Sequence, residues 1–183
     1  MLGSSGVMAD LRVILRRPTI ADGDEFINAM KASRRFHRPW VQPPLSAAAF
    51  KAYLKRVRMA DRDGHLVCLR GSGAIVGVIN LNHVIRRAFQ SAFLGYYAVA
   101  EYAGQGLMFE GMELSLGYAF RRLKLHRLEA NIQPGNSESI ALVKRCGFVR
   151  EGFSRRYLKI DRQWSDHERW ALLAEDWSAH DAA

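Results

Sequence analysis

The sequence predicts an α/β fold (α+β) with a mixed, mostly antiparallel sheet of six to seven strands and helices on both of its faces. Its 183 residues, 49% of them hydrophobic, suit one domain whose core needs no disulfides. Short apolar runs separated by turn residues between positions 65 and 99 predict a meander, which is an antiparallel arrangement. The order strand 91–99, helix 106–123 and strand 127–132 implies one parallel pair with a right-handed crossover.

The N-terminal third predicts one strand and two helices around an irregular segment. Residues 11–15 predict a first strand, which Pro18 stops, and Thr19 caps a helix over 21–32. Residues 38–44 contain three prolines and cannot form regular structure. Ser46 caps the second helix. Its apolar residues fall at helical spacing: Phe50, Tyr53, Leu54 and Val57.

The last fifty residues predict a helix followed by a long hairpin. The helix begins at Asn136 and runs to Cys146, and Gly147 ends it in the left-handed conformation typical of a helix C-terminus. Residues 148–159 and 164–174 then pair about a turn at 160–163. This turn carries Arg162 where glycine would ease a positive φ.

The predicted domain spans residues 10–177. Residues 1–9 are interpreted as a flexible tail or an expression remnant, and 178–183 as a C-terminal tail. Cys68 and Cys146 lack the paired spacing of a metal or redox site, so we expect core thiols in a reducing, cytoplasmic location. No apolar stretch approaches the roughly 20 residues that span a bilayer, and no signal peptide is recognisable, so no membrane partner is expected.

The net charge of +9 favours anionic ligands, such as a phosphorylated cofactor, RNA or a site on a ribonucleoprotein. A solvated basic surface explains the charge as well as a nucleic-acid face does. Aromatic residues are not interleaved with the basic residues, so the sequence does not suggest a platform on which a single-stranded nucleic acid would stack. The bases cluster in four segments: 34–38, 51–58, 121–127 and 155–156.

The segment AEYAGQGLMFEG, residues 100–111, places two glycines between a predicted strand and a predicted helix. It lacks the Gly-Lys-Ser/Thr of a P-loop, and Phe109 stands where a dinucleotide fingerprint has its third glycine. Unpaired N–H groups at a helix start attract anions, and Gly104 and Gly106 would let a pyrophosphate approach closely. Taken alone, the pattern is also that of an ordinary turn.

Residues 96–108, YYAVAEYAGQGLM, resemble motif A of the GNAT superfamily of acyl-CoA-dependent N-acetyltransferases. Residues 125–131 and 136–148 are similar to its motif B. The resemblance covers about residues 10–177 and implies the GNAT fold, in which a parallel pair formed by the fourth and fifth strands splays apart. Three further stretches resemble the ribosomal-protein-alanine N-acetyltransferase (RimJ/RimL) branch: Arg38-Pro39-Trp40, 77–85 and 151–167.

This resemblance implies acetyl-CoA as cosubstrate and no metal. The backbone of the fourth strand would grip the pantetheine arm, and the glycine loop would hold the pyrophosphate. Asn136 and Ser139 match positions that contact the pantetheine arm and the thiol, although Asn136 is also a good helix cap. The implied cofactor-binding residues are Tyr96, Tyr97, Ala98, Val99, Ala103, Gly104, Gln105, Gly106, Leu107, Met108, Asn136 and Ser139.

The sequence departs from the family pattern at three positions. Glu101 stands in place of Gln or Arg, and Ala103 in place of a frequent basic residue, so backbone groups should hold the phosphates while Glu101 points away. Val143 stands where many members carry a tyrosine that acts as general acid. Ser139 is therefore the expected proton donor to the departing thiolate.

The general base is harder to assign from the sequence. Arg127, Glu129 and Asn131 alternate on one face of their strand, so Glu129 is the candidate if that face lines the cleft. A carboxylate that simply pairs with Arg127 is the alternative. His126 and His167 are interpreted as structural or surface residues without metal-ligand spacing. The terminal hairpin is expected to be held by Tyr157, Trp164 and Asp166. Tyr157 is also expected to lie near the cleft.

The resemblance predicts an enzyme that transfers an acetyl group to a primary amine, in the first place the N-terminal amine of a ribosomal protein. The ribosome as a further partner and a homodimer stay open. The alternative is an enzyme that acetylates small amines. Polyamines and aminoglycosides are polycations and would require an acidic cleft, which the net charge of +9 disfavours. A non-catalytic acyl-CoA- or ribosome-binding module is the third possibility.

Overall fold

A computed structural model describes residues 11–181, with side chains to residue 177. The predicted tail at residues 1–9 and the last two residues of the predicted C-terminal tail lie outside this range. The strands are β1 (Val13–Arg16), β2 (Asp63–Leu69), β3 (Ile75–Ile85), β4 (Ser91–Ala98), β5 (Arg127–Ile132), β6 (Val149–Ile160) and β7 (Gln163–Leu173). The helices are α1 (Gly23–Ala32), α2 (Arg34–His37), α3 (Ala47–Arg56), α4 (Leu107–Gly117), α5 (Ser137–Arg145) and α6 (Ala174–Asp181).

All seven strands form one mixed sheet in the order β1-β2-β3-β4-β5-β7-β6. Strands β1 to β4 are an antiparallel meander, and β4 and β5 are the one parallel pair of this sheet. The hairpin of β6 and β7 completes the sheet through an antiparallel contact of β7 with β5. The predicted fold class is confirmed, with strand boundaries that differ from the predicted ones by a few residues at most.

The parallel pair separates halfway along its length. Strand β4 pairs with β5 from Ser91 to Leu94, opposite Arg127 to Ala130, and no pairing continues beyond Ala130. The rest of β4 stays paired with β3, and the end of β5 stays paired with β7. A wedge therefore opens between the two strands, and its walls are held in place by their outer neighbours.

Two apolar clusters cover the two faces of the sheet. Strand β2 shows the division clearly, because alternate side chains of a strand point to opposite faces: Val67 lies in one cluster and Leu66 in the other. Helices α4 and α5 contribute to the first cluster, for example through Met112 and Val143. Helices α1 and α3 contribute to the second, for example through Phe26. Helices on both faces are as predicted.

Two predicted helix starts, at Ser46 and Asn136, are confirmed by their capping groups, whereas Thr19 precedes a 3-10 turn at Ile20–Asp22 and the α-helix begins only at Gly23. The Ser46 hydroxyl accepts the Ala49 backbone N–H at 3.2 Å, and the Asn136 side chain accepts the Ser139 N–H at the same distance. Each cap satisfies one of the N–H groups that a helix start leaves unpaired. Gly147 follows α5 with φ 85°, in the left-handed region expected of it.

Three features differ from the prediction or were absent from it. The helix predicted to run to position 123 ends as a π-helical turn at Tyr118–Arg122. The short helix α2 was not predicted, because four residues carry no readable periodicity. Helix α6 was not predicted and runs into the residues assigned to the tail. It is anchored by the buried ring of Trp177, 5.6 Å from that of Phe120.

The hairpin turn has the strained conformation that its sequence predicts. Asp161 and Arg162 have φ 48° and 65°, so both central residues lie in the left-handed region without a glycine. Both cysteines are buried and free, as expected of core thiols. Within residues 11–181, no helix has both the length and the apolar character that a bilayer crossing requires.

Lowering the pH from about 7.5 to about 5.5 is expected to reduce the free energy of unfolding. Burial lowers the pKa of His37, His65 and His167 below their ordinary value of 6.5. As the pH falls below 6.5, the unfolded chain therefore takes up protons that the folded chain still excludes, and stability is lost toward acid. Urea unfolding at the two pH values measures the difference.

A matched pair of variants tests the cause of this loss. His65→Gln should shrink the difference in unfolding free energy between the two pH values, because one buried imidazole is removed. His83→Gln should leave it unchanged, because that side chain is 58% exposed. A stability that is equal at both pH values, or higher in acid, would contradict the prediction.

Candidate active site

The wedge between β4 and β5 opens into a cavity of about 1060 Å³. One wall comes from the end of β4 and the glycine loop, and the other from the end of β5 and helix α5. The cavity continues past the wedge to α2, the residues after it and the β6–β7 hairpin. A single cleft therefore extends from the glycine loop to the hairpin.

The glycine loop presents backbone donors at one end of the cleft. Gly104 and Gly106 have φ 73° and 77°, and α4 begins directly after them at Leu107. No group among the described residues accepts a hydrogen bond from the N–H groups of 104–108. These donors and the positive end of the helix dipole make the loop a site for a phosphate-like anion.

Arg12 stabilises the glycine loop through hydrogen bonds. Its guanidinium donates to the Gln105 carbonyl oxygen at 2.9 Å and to the Glu110 carboxylate at 2.7 Å, and its backbone N–H donates to the same carboxylate at 2.8 Å. The loop is thus tied to β1 and to the first turn of α4. Glu101 is exposed and does not line the cleft, which agrees with the expectation that it points away.

Arg145 and Phe109 supply a cation near the loop. The Arg145 guanidinium lies 3.7 Å from the centroid of the Phe109 ring, and both residues line the cleft. A guanidinium held flat on a ring keeps its N–H donors free at its edge. Loop and arginine together fit the phosphates of a CoA thioester, and the unpaired edge of β4 fits an extended chain such as pantetheine.

A pair of hydroxyl groups lies across the middle of the cleft. The Tyr96 hydroxyl is 2.6 Å from Ser139 Oγ, and the Asn136 cap fixes the first turn of the helix that carries this serine. Burial raises the pKa of Tyr96, so the phenol stays protonated and can donate. The sequence pointed to Ser139 and Asn136, but for Tyr96 it indicated only a backbone contact.

The missing tyrosine at position 143 is explained by the direction of that side chain. Val143 is fully buried in the apolar cluster under α5 and does not line the cleft. A larger side chain there would compete with the core. The hydroxyl nearest to Ser139 comes instead from Tyr96, on the opposite wall.

His167 was interpreted as structural or surface, but it lines the cleft at the hairpin end. Its ring is 1% exposed, and Nδ1 lies 2.9 Å from the Ser165 carbonyl oxygen. Because a carbonyl only accepts, Nδ1 carries the hydrogen and Nε2 keeps its lone pair. Burial lowers the pKa of His167, which keeps the ring neutral. No described group donates to Nε2, so His167 has the properties of a general base.

The structure does not bring Glu129 to the cleft, and this corrects its candidacy as a base. Its carboxylate accepts from Arg127 Nε at 2.9 Å, and Arg127 also bonds to Glu151. The reason is the position of the wedge: Glu129 is still paired with Phe93 of β4, and the strands separate only after Ala130. Glu129 is therefore an ion-paired carboxylate outside the cavity.

The other predicted residues divide between cleft and core. Val99 and Leu107 are buried in the apolar clusters, and Gln105 is exposed outside the cleft. The roles assigned to these three through their backbone stay predictions. Tyr157 lines the cleft, as expected. The predicted cofactor-binding residues that line the cleft are Tyr96, Tyr97, Ala98, Ala103, Gly104, Gly106, Met108, Asn136 and Ser139.

His37 supports the end of β4 beside the loop. Its Nε2 donates to the Ala98 carbonyl oxygen at 2.7 Å, and its ring lies edge-on to Tyr97 at 5.6 Å. A second brace comes from Ser33, whose hydroxyl accepts the Ala100 N–H at 2.9 Å. Residues 11–177 include no cluster of three or more His, Cys, Asp and Glu side chains arranged to hold a metal ion.

A parallel pair that splays beside an anion-binding glycine loop is the architecture of acyl-CoA-dependent acetyltransferases. The chain belongs to the GNAT family: residues 12–149 match the family model described as the acetyltransferase (GNAT) domain. The fold and the arrangement of the cleft therefore agree with the family to which the sequence motifs pointed.

Two curated relatives that are N-acetyltransferases match part of this chain. The [Ribosomal protein uS5]-alanine N-acetyltransferase of Escherichia coli is 41% identical over 104 residues, 57% of this chain and 54% of that protein. The probable N-acetyltransferase YjcK of Bacillus subtilis is 40% identical over 102 residues, 56% of each chain. The matches thus span about half the length of these curated relatives.

A solved structure extends the likeness to nearly the whole chain. Mycobacterium smegmatis RimJ in complex with CoA-disulfide superposes with a TM-score of 0.84 at 26% identity. The superposition covers 92% of this chain and 87% of that one. The likeness therefore extends beyond residues 12–149, which match the family model.

Proposed function

We propose that this protein is an acetyl-CoA-dependent N-acetyltransferase whose acceptor is the N-terminal amine of a protein, with ribosomal proteins as the substrate class. The observation that carries the proposal is the single cleft, with phosphate-type donors at one end, a hydroxyl pair between its walls and the β6–β7 hairpin at the other end. The match to the uS5-alanine N-acetyltransferase and the likeness to a RimJ that binds CoA support the donor and the acceptor.

The donor end of the cleft is built for a CoA thioester. The N–H groups of 104–108 and the Arg145 guanidinium would hold the phosphates, and the free edge of β4 would align the pantetheine arm. The bound thioester supplies the acetyl group. Alignment by the protein then replaces a bimolecular encounter with a positioned one, which is the main requirement of amide formation from a thioester.

Two proton transfers remain, and the cleft has a group for each. The attacking amine must lose a proton, which Nε2 of neutral His167 accepts. The departing thiolate must gain one, which Ser139 donates, and Tyr96 replaces the serine proton through their 2.6 Å contact. When the products leave, the proton on His167 is released to solvent and Tyr96 takes one up, so both groups return to their starting states. Ser139 keeps the role that the sequence predicted for it, and His167 takes the role that was assigned to Glu129.

The acceptor end favours a peptide over a polycation. The lining of the whole cleft includes one carboxylate, that of Glu138, together with two arginines and three histidines. A polyamine needs several carboxylates to bind its ammonium groups, whereas an N-terminal peptide brings backbone amides and one amine. Ribosome binding and homodimerisation stay predictions from the sequence.

The proposal is tested by following free-thiol release from acetyl-CoA with a panel of acceptors. We expect turnover with peptides that begin with alanine or serine, and none with spermidine, an aminoglycoside or the same peptides with a blocked N-terminus. Turnover confined to small amines would replace the peptide with the alternative acceptor class. Binding of CoA without turnover on any acceptor would favour the non-catalytic module.

A further inference from the structure

We propose that the mouth of the cleft is an RNA-docking surface. Exposed basic residues flank the two segments that line the cleft here, and together they form what we call the basic rim. It consists of seven exposed residues: Arg34, Arg35 and Arg38 on one side, and Arg155, Arg156, Lys159 and Arg162 on the other. This surface goes beyond the proposed acetyl transfer, because it concerns what the protein docks on rather than what it acetylates.

The position of the rim follows from the residues between its members. Phe36 and Trp40 line the cleft on the first side, and Tyr157 and Leu158 line it on the second. The basic residues flank these lining residues along the chain. Two segments far apart in sequence therefore place their charges around one opening.

The rim bases lack the partners that other arginines of this protein have. Arg12, Arg16 and Arg127 each form an ion pair with a carboxylate. Among the described residues, no carboxylate pairs with any side chain of the rim. Asp166 is the nearest candidate along the hairpin, and it accepts the Arg156 backbone N–H at 2.7 Å. Unpaired charges of one sign repel one another, and a polyanion relieves that repulsion.

Exposed aromatic rings accompany these charges. Trp164 is 61% exposed and lies directly opposite Lys159 in the β6–β7 pairing, and Phe36 is 43% exposed beside Arg35. The sequence alone showed no such interleaving, because the rings and the bases come together only when the hairpin and α2 meet at the cleft. Basic side chains combined with exposed aromatic rings are typical of protein surfaces that bind the phosphates of a nucleic acid and stack on its nucleobases.

RNA fits these features better than an acidic protein does. Six of the seven rim bases are arginine, whose planar guanidinium matches phosphate oxygens in a bidentate geometry. An acidic protein would pair with the charges but would offer no nucleobases to stack on the exposed rings. The acceptor peptide of a ribonucleoprotein would then reach the cleft while its RNA lies on the rim.

The test is direct binding of a fluorescein-labelled single-stranded RNA of about 20 nucleotides, measured by fluorescence anisotropy across a salt series. A hairpin variant carries four changes: Arg155→Gln, Arg156→Gln, Lys159→Gln and Arg162→Gln. A control variant loses the same charge on exposed residues away from the mouth: Lys51→Gln, Lys55→Gln, Arg122→Gln and Lys124→Gln. Thermal melts confirm that both variants are folded.

We expect the hairpin variant to bind RNA at least about tenfold more weakly at about 50 mM salt, and the control about twofold more weakly at most. The slope of log affinity against log salt should fall by about 0.7 for each phosphate contact removed. If both variants lost the same amount of RNA affinity, only the total charge of the protein would matter, and this would overturn the proposal. So would a wild-type protein that binds no RNA, or one that binds labelled polyglutamate as tightly.

This experiment contains no acyl donor and no acceptor amine. Its failure therefore leaves the proposed acetyl transfer untouched, and a failure of thiol release leaves RNA binding to be judged by itself. The hairpin variant should also acetylate a short free peptide at the wild-type rate, because none of its four residues lines the cleft.

Discussion

Replacing His167 with asparagine is expected to lower kcat/KM for a peptide acceptor by about 10²–10⁴-fold. The asparagine amide can still donate to the Ser165 carbonyl, as Nδ1 does at 2.9 Å, but it offers no basic nitrogen in place of Nε2. The fold is thus retained while the proton acceptor is lost. Steady-state thiol release over a range of peptide concentrations measures the change.

The pH profile separates a lost base from a disturbed structure. A general base must be neutral, so kcat at saturating peptide falls as the pH drops through its pKa, whereas kcat/KM also falls when the free α-amine of the peptide is protonated. Burial of His167 lowers its pKa, which places the acid limb of kcat below 6.5. We expect the acid limb to disappear in His167→Asn. His126→Asn is the control, because its side chain is 55% exposed outside the cleft. A variant of His167 with wild-type activity and an unchanged acid limb would remove the base from the mechanism.

Replacing Gly104 with valine is expected to weaken CoA binding by at least about 100-fold. The residue has φ 73°, a conformation that a β-branched residue adopts only with strain. The added side chain would also project into the open space beside the loop that the phosphates would fill, since no described atom lies within 4 Å of the position that its Cβ would take. Isothermal titration of CoA into the variant measures the loss.

Gly73→Val provides a matched control. Gly73 has φ 77° in the β2–β3 turn, and open space also surrounds the position of its Cβ. The substitution therefore introduces a similar backbone strain but lies away from the cleft. Both variants should lose a similar amount of thermal stability, and CoA affinity should fall at Gly104 alone. Equal CoA affinities in the two variants would rule out the loop as the phosphate site.

Elements with local signals could be predicted from the sequence. Strand β5 has the predicted bounds, and the caps at Ser46 and Asn136 lie where their residue types indicate. Helix α6 could not be predicted in this way, because its four described side chains, at residues 174–177, include one buried residue, Trp177, and form no periodic pattern. Local chemistry marks helix ends and turns, whereas a single long-range contact leaves no pattern along the chain.

The site was predicted where it follows a motif and missed where it depends on the fold. Ser139 and the glycine loop lie in contiguous motifs. His167 depends on the register of the hairpin, which pairs Ile160 with Gln163 but Ser154 with His167. The strands shift by two residues between these pairs, so a regular hairpin would have placed position 156 opposite His167. Such an irregularity bends a strand and redirects its side chains.

The prediction of Glu129 as the general base was wrong for a different reason. The alternation of polar residues along β5 was interpreted correctly as one face, but the sequence does not reveal where the parallel pair separates. That point is set by the outer neighbours β3 and β7, which hold each strand beyond Ala130. Two residues further along, Asn131 lines the cleft, whereas Glu129 lies outside it.

The most direct test of the central proposal is to locate the acetyl group on the product. A peptide that begins with alanine and contains one internal lysine is incubated with acetyl-CoA and the wild-type protein, and the product is fragmented in a mass spectrometer. We predict a single acetyl group on the α-amine, and at least about 100-fold slower formation of this product with the His167→Asn or Gly104→Val protein. An acetyl group on the lysine side chain, or no acetylated peptide while a small amine is acetylated, would contradict the proposal.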